Sequence, residues 1–173
     1  MRLVLAVALV LVVSAVLLGT ARSQSRVTTC TAASTKAAVR AFVASLNEGD
    51  FAALQSMFAR EPAFQWYSSN APGARVQAAS KYRPSLIRYF RVRHAKRDRL
   101  RVVSVRFTGN RQGWDAVPAH GNFSAVLKRS AEDFRSGAWF RLISKGALVC
   151  WAEPSAPAQF IVFSFGGPGS ARG

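Results

Sequence analysis

The stretch of this chain that most constrains its fold is Val39–Phe58, with the sequence VRAFVASLNEGDFAALQSMF. In its first half, apolar residues recur at the i, i+3, i+4 and i+7 positions that share one helical face: Val39, Phe42, Val43 and Leu46. In its second half, a similar stripe is formed by Phe51, Leu54 and Phe58. The pattern predicts two amphipathic helices, each of which buries one face against a core.

The break between the two predicted helices is Asn47–Asp50. Gly49 has no Cβ, so it can adopt the left-handed conformation that ends many helices. Asp50 has a short carboxylate that can accept hydrogen bonds from the free amide groups of the following helix. At the start of the first helix, Ser34 or Thr35 is expected to act as the cap for the same reason. The chain is therefore expected to turn sharply near Gly49.

The remainder of the chain is predicted to be mainly strand. A third helix is expected to begin near Pro84, because proline suits the first turn of a helix. Apolar residues on both faces of the strand Leu100–Thr108 predict a β-bulge or a sheet covered partly on both sides, whereas Ser68–Ser80 is predicted to be a loop. Further strands are predicted at Phe64–Tyr67, Phe123–Lys128, Ala138–Cys150 and Gln159–Phe165. Helices followed by antiparallel strands predict an α+β domain.

The segment AFVASLNEGDFAALQSMFA resembles the opening of the nuclear transport factor 2-like superfamily, which includes the SnoaL-like domains and ketosteroid isomerase. Those domains begin with a helix, an LN-x-GD break and a second helix that ends in LF or MF. Two later pieces, YFRVRHAKRDRLRVVSVRF and SKGALVC followed by FIVFSFG, resemble the helix-to-strand passage and the closing hairpin of exported actinobacterial members. The resemblance covers roughly Ala37–Gly166 and implies N-terminal helices packed on a strongly curved antiparallel sheet, in the shape of a cone.

The resemblance also implies an apolar cavity inside the cone. The residues expected to line it are Phe42, Trp66, Tyr89, Phe107 and Phe123. Ketosteroid isomerase uses a Tyr on its first helix and an Asp on its first strand, and the matching positions here hold Phe42 and Trp66. Neither side chain can transfer a proton, so that activity is not expected. The predicted function is an exported, non-enzymatic domain that binds a small apolar ligand in the cone, an anionic envelope partner through Lys81–Arg111, or both.

The alternative function is a lyase or isomerase of the SnoaL or scytalone dehydratase type. His94 and Asp98 are four residues apart, so a continuous helix would let the carboxylate orient the imidazole as an acid–base group; His120 is the other candidate. The simpler interpretation places His94 at a helix end and pairs Asp98 with Arg93 or Arg97. Because the sequence has no metal-ligand cluster or phosphate-binding loop, no metal or cofactor is expected.

The charge of the chain is strongly unbalanced. It has 24 Lys and Arg residues against 8 Asp and Glu, which gives a formal net charge of +16. Such an excess attracts anionic lipids, anionic wall polymers or nucleic acid, although biased codon usage is an alternative explanation. The cations concentrate between Lys81 and Arg111, and the predicted anion-binding residues are Arg88, Arg91, Arg93, Lys96, Arg97 and Arg99. A homodimer that pairs through the sheet is a third, simpler expectation.

The N-terminal segment is predicted to be a signal for export. Met1 and Arg2 are followed by the apolar run Leu3–Leu18 and by small residues, so cleavage is expected after Ala21. The alternative is an uncleaved membrane anchor at residues 3–19. Residues 22–34 are predicted to be a tether, 35–166 the domain and 167–173 a flexible tail. The predicted location is secreted or in the cell envelope, where nucleic acid is not an expected partner.

The chain has two cysteines, Cys30 and Cys150. In an exported protein an even pair favours a disulfide, which would tie the N-terminal arm to a strand near the other end of the chain. The alternative is two unrelated buried thiols. Two cysteines alone cannot form a four-ligand zinc site.

Overall fold

The computed structural model describes residues 27–60, 65–68, 78–80, 82–112, 119–133, 138–152 and 156–165. The predicted signal or anchor and the predicted tail at 167–173 lie outside the described residues. Among the helices that the structure describes, none is long and apolar enough to cross a bilayer.

The helices are α1 (Ala32–Glu48), α2 (Phe51–Ser56) and α3 (Arg83–Ala95). The predicted break between the first two is confirmed, because Gly49 is left-handed with φ of 77°. The carboxylate of Asp50 accepts from the amide of Ala53 at 2.9 Å, as expected for a cap. The stripe predicted for the first helix is buried at Val39, Phe42, Val43 and Leu46.

The start of α1 differs from the prediction. Its cap is Thr31 rather than Ser34 or Thr35, since the side chains of Thr31 and Ser34 each accept from the other's backbone amide, in a reciprocal capping box. A short strand at Val27–Thr28 precedes this cap. The folded region therefore begins before the predicted boundary at residue 35 and includes part of the predicted tether.

In the part of the chain that the structure describes, seven strands form one sheet, in the order β3-β2-β7-β6-β5-β4, with β1 paired to β6. All neighbours are antiparallel except β2 and β7. The prediction of a loop at Ser68–Ser80 missed β3, whose weak pattern becomes a strand because β2 supplies a partner for it. The bounds are β1 (Val27–Thr28), β2 (Gln65–Ser68), β3 (Ala78–Ser80), β4 (Arg99–Gln112), β5 (Ala119–Ser130), β6 (Phe140–Trp151) and β7 (Gln159–Phe165).

The helices cover one face of the sheet, which we call the inner face. On β5 this face holds the buried side chains of Phe123, Ala125 and Leu127, and the residues between them form the outer face. The mixed pattern of β4 is explained by two register shifts, one between Val102 and Ser104 and one between Phe107 and Gly109. These irregularities confirm the predicted bulge, and they bend the strand so that apolar residues from both alternation sets reach the core.

Asn47 joins the helical break to the sheet. Its side-chain amide donates to the carbonyl of Leu100 at 3.0 Å, and its side-chain oxygen accepts from the Leu100 amide at 2.9 Å. The side chain thus acts as a short length of strand at the start of β4. The result is the predicted α+β architecture, with helices packed on a curved antiparallel sheet.

The N-terminal arm is fixed by a second asparagine and by the predicted disulfide. Asn110 exchanges two hydrogen bonds with the backbone of Cys30, at 2.9 and 3.0 Å. Cys30 and Cys150 form a disulfide with their Cα atoms 5.3 Å apart. Gly121 lies beneath this bridge, where a Cβ would collide with the side chain of Cys30.

We expect Gly49→Ala to destabilise the fold more than Gly109→Ala. Both glycines have positive φ, at 77° and 107°, and L-residues lose about 1–2 kcal/mol in the left-handed region. At Gly49 a Cβ would also lie 2.9 Å from the ring of His94, whereas at Gly109 nothing lies within 4 Å. Urea denaturation measures both free energies of unfolding. Equal losses would contradict the packing of the break against His94.

Reduction of the disulfide is expected to lower the free energy of unfolding by about 2–5 kcal/mol, because it releases a long closed loop in the unfolded chain. The bridge joins residues separated by 120 positions. Thermal unfolding with and without reductant measures the effect. The control is the Cys30→Ser, Cys150→Ser double variant, whose unfolding should not respond to reductant. An equal response would mean that the reductant acts elsewhere.

Candidate functional site

The interior between the helices and the sheet is packed with aromatic rings. Phe42 on α1 lies at the centre, with ring centroids 4.8 to 6.3 Å from four other phenylalanines in edge-to-face contacts: Phe58, Phe90, Phe160 and Phe163. All five side chains are almost completely buried. Pairs of this geometry add to the stability gained from burial alone. Around Phe42, the space between the helices and the sheet is therefore filled by the protein's own side chains.

The five predicted cavity residues are not placed alike. Phe42 and Phe123 belong to this aromatic core. Tyr89 and Phe107 are half-buried at its edge. The backbone of Trp66 lies on β2 opposite Phe163, and its side chain is outside the described part of the structure. The structure therefore brings Phe42 and Phe123 into one packed cluster, and a ligand cavity lined by all five stays a prediction.

The structure does not bring His94 and Asp98 together. The Nδ1 of His94 donates to the carbonyl of Leu46 at 3.0 Å, and its ring packs edge-on against Phe51. His120 is buried on the outer face of β5, opposite Arg111. Burial, and to a lesser degree the charge of Arg111, lower the pKa of His120, so its ring is mainly neutral at pH 7. The described contacts of His94 therefore do not include a carboxylate.

Asp98 instead holds two buried arginines. Its carboxylate accepts from Nε of Arg93 at 2.7 Å and from Nε of Arg129 at 2.9 Å, with a further short contact from Arg129. Asp98 is 1% exposed and Arg129 is 2% exposed. The other side of the Arg93 guanidinium makes two parallel hydrogen bonds to Asp133, at 2.6 and 2.9 Å. We call these four residues the Asp98 cluster.

The Asp98 cluster contains two positive and two negative side chains, so its charges cancel. Burial disfavours the charge of Arg93, but its hydrogen bonds to Asp133 and Asp98 outweigh this and raise its pKa above the ordinary value. The hydrogen bond from Arg93 is also the main reason that the pKa of Asp133 is lowered. A neutral cluster of this kind fixes the turn between α3 and β4 against the end of β5.

Two of the six predicted anion-binding residues are engaged by carboxylates. Arg93 is part of the Asp98 cluster, and Arg97 pairs with Glu132 at 3.1 Å. Arg91 is exposed and stacks over the ring of Phe51 at 4.3 Å. The remaining three are exposed or half-exposed: Arg88, Lys96 and Arg99. The predicted set therefore divides between structural ion pairs and surface cations.

A larger group of cations lies on the outer face of the sheet. We call it the basic face: Arg99, Arg101, Arg106, Arg111, Lys128, Arg141 and Lys145. Arg101, Lys128 and Arg141 are direct cross-strand partners on β4, β5 and β6. Their Cβ atoms are therefore roughly 5 Å apart, and like charges directly opposite one another are destabilising. The sequences of β4 to β7 contain no Asp or Glu that would relieve this repulsion.

Sequence reasoning placed Arg99 among the predicted anion-binding residues and included the other β4 cations in the wider basic cluster between Lys81 and Arg111. It did not include Lys128, Arg141 and Lys145. The signal for Lys128 and Arg141 was present, because each lies one residue away from an inward apolar position on its strand, whereas Lys145 is flanked by Ser144 and Gly146. Alternation shows which side of a strand a residue occupies, but not which residue lies opposite it. Only the strand register assembles these cations into rows.

Comparison with solved structures identifies the fold. A candidate calcium/calmodulin dependent protein kinase II association domain from Xanthomonas campestris superposes with a TM-score of 0.52 at 13% identity, covering 78% of this chain and 86% of that one. A nuclear transport factor 2-like superfamily protein from Salmonella enterica gives 0.50 at 11%, covering 83% of this chain and 99% of that one. This chain has the nuclear transport factor 2-like fold. The predicted fold class is therefore confirmed.

A Mycobacterium tuberculosis protein of unknown function superposes on this chain with a TM-score of 0.50 at 12% identity, covering 76% of this chain and 68% of that one. No family model matches the chain, and no curated protein matches it by sequence. Among the described residues, no group of three or more His, Cys, Asp and Glu side chains is placed to hold a metal ion.

Asp98→Asn is expected to lower the free energy of unfolding by about 3–5 kcal/mol, because the substitution leaves buried arginine charge without its partner. The control is Glu132→Gln, which removes the partner of Arg97 from a pair whose side chains are 78% and 51% exposed. The control should cost at most about 1 kcal/mol. Urea denaturation of both variants measures the difference. A loss for Asp98→Asn no larger than the control would contradict the role of the Asp98 cluster.

Proposed function

We propose that this chain is an exported, non-enzymatic binding domain that docks on an anionic lipid surface of the cell envelope through its basic face. The observation that supports this best is the row Arg101–Lys128–Arg141, in which three cations are held side by side by strand register. Their mutual repulsion is relieved when anions bind across them. Each cation near an anionic bilayer contributes about 1 kcal/mol of attraction.

A lipid surface is favoured over a wall polymer by the aromatic residue beside this row. Trp139 immediately precedes β6, and its side chain is 39% exposed, with the guanidinium of Arg101 at 4.3 Å over its ring. Tryptophan prefers the interface between lipid head groups and acyl chains, where its apolar ring and its polar N–H are both accommodated. Val103, in the bulge of β4, is a second exposed apolar side chain.

Export is supported by the N-terminal pattern and by the disulfide. Disulfides persist in oxidising compartments, outside the cytosol, and the bridge between Cys30 and Cys150 closes the fold at its N-terminal arm. A non-enzymatic role is supported by Phe42 and Trp66, which occupy the positions where ketosteroid isomerase has its catalytic groups. The alternative lyase or isomerase would need an acid–base group that His94 and Asp98, engaged elsewhere, do not supply together.

A small apolar ligand in the cone has less support from the described residues. Phe42 and Phe123, two of the five side chains expected to line such a cavity, pack against other rings of the core. We therefore place the partner on the outer face of the sheet rather than in its interior.

Lys128→Gln combined with Arg141→Gln should weaken binding to vesicles that contain phosphatidylglycerol by roughly 30-fold, since two contributions of about 1 kcal/mol are lost. The matched control is Lys36→Gln with Arg40→Gln, which removes the same charge from the exposed side of α1. Vesicle co-sedimentation at rising salt measures both, and wild-type affinity should fall as salt increases. Both variants keep the apolar N-terminal segment, so its own contribution cancels.

Three outcomes would overturn the proposal. Binding that ignores ionic strength would exclude an electrostatic surface. Equal losses for the two variants would mean that net charge, and not the basic face, governs binding. Tighter, salt-sensitive binding to a soluble glycerol phosphate polymer than to the vesicles would replace the lipid surface by a wall polymer.

A further inference from the structure

A pocket of about 270 Å³ opens on the outer face of the sheet, where β5, β6 and β7 lie side by side. It is lined by His120, Asn122, Lys145, Ala147, Val162 and Ser164, among others. These residues belong to the face opposite the aromatic core, so the pocket is distinct from the interior of the cone. It lies on the face that carries the basic residues, and Lys145 belongs to both.

The position of the pocket follows from residue size. Ala147 lies directly between Asn122 on β5 and Val162 on β7. Its methyl group is shorter than both neighbouring side chains, so the surface that these three side chains form has a depression at Ala147. Ala147 and Val162 give the pocket an apolar floor. Two positions earlier on β6, Lys145 lies between Ser124 and Ser164 and forms a polar rim.

The chemistry of the rim favours an anion. The ammonium of Lys145, the side-chain amide of Asn122 and the hydroxyl of Ser164 can all donate hydrogen bonds. No carboxylate is present in the sequences of β4 to β7 to compete for these donors. Arg111, opposite His120 on β4, adds positive charge at the end of the pocket. Hydrogen bonds between a charged donor and an anion are shorter and stronger than neutral ones.

We infer that this pocket binds a phosphate ester, with the phosphate oxygens at Lys145, Asn122 and Ser164 and the organic part over Ala147 and Val162. The apolar floor distinguishes an ester from inorganic phosphate, which has no carbon atoms to bury. The inference rests on the proposed function, because the same face would meet the phosphates of a lipid surface. It adds to that function a site that recognises one head group rather than charge alone.

The test is a titration of the purified full-length chain with glycerol 3-phosphate, followed by the chemical shifts of the His120 ring and by calorimetry. Lys145→Gln should weaken binding at least tenfold, because it removes the charged donor. Ala147→Leu should weaken it at least tenfold without changing the charge, because the larger side chain fills the pocket. The matched control, Lys36→Gln, removes the same charge from the exposed side of α1, away from the basic face, and should stay within twofold of wild type.

The folding of each variant is checked by thermal unfolding, and Lys145 is exposed, so its substitution tests the inference even if Ala147→Leu perturbs the sheet. Absence of saturable binding, or equal affinity in wild type and Lys145→Gln, would overturn the inference. Equal binding of inorganic phosphate and glycerol 3-phosphate would overturn the role of the apolar floor.

The two proposals fail in different experiments. If vesicle binding depends on Lys128 and Arg141 but glycerol 3-phosphate does not bind, the lipid surface stands and the pocket inference is wrong. If glycerol 3-phosphate binds in the pocket but vesicle binding does not depend on Lys128 and Arg141, the pocket inference stands and the proposed lipid surface is wrong. The source of the ester is decided by Ala147→Leu. A loss of vesicle binding in this variant supports a lipid head group, and an unchanged vesicle affinity supports a soluble phosphate ester.

Discussion

The arrangement of charge in this domain depends on the buried carboxylate of Asp98. It neutralises Arg93 and Arg129, two arginines that could not otherwise be buried without a large cost in free energy. The three residues come from the end of α3, the start of β4 and the end of β5, and Asp133 closes the group from the turn that follows. One neutral cluster thereby joins a helix to the sheet at the point where the chain passes from one to the other.

This cluster separates structural cations from surface cations. Asp98, Glu132 and Asp133 are all engaged at the same end of the sheet. By contrast, β4 to β6 have cations on their outer face, and the sequences of β4 to β7 have no acidic residue. A face with this charge disfavours contact with the same face of a second copy of the chain, because like charges would meet across that interface. The predicted homodimer through the sheet stays a prediction, and it would bring these like charges together if it formed across the basic face. The net charge of +16 alone does not show which cations are paired with carboxylates and which lie on the surface.

The local features of the fold could be predicted because they depend on neighbouring residues. Gly49 ends α1 and Asp50 caps α2, as the break predicted, and the irregular alternation of β4 does correspond to bulges. Other features were missed because distant residues decide them. The cap at Thr31 belongs to an arm held by Asn110, and β3 is a strand through its pairing with β2. The simpler interpretation, which paired Asp98 with Arg93, agrees with the structure. The contact from Arg129 was missed, because the strand pairing brings that residue in from the end of β5.

The sequence by itself determined the two helices and the break between them, the α+β class, and the cysteine pair that became a disulfide. These follow from spacing, from residue conformational preference and from cysteine number, which are properties of the chain. The tertiary structure decided which arginines are consumed in ion pairs and which form the basic face. It also placed Ala147 between Asn122 and Val162, where a small side chain leaves a pocket. The physical reason is that strand register and burial fix which side chains are neighbours, and charge acts between neighbours in space.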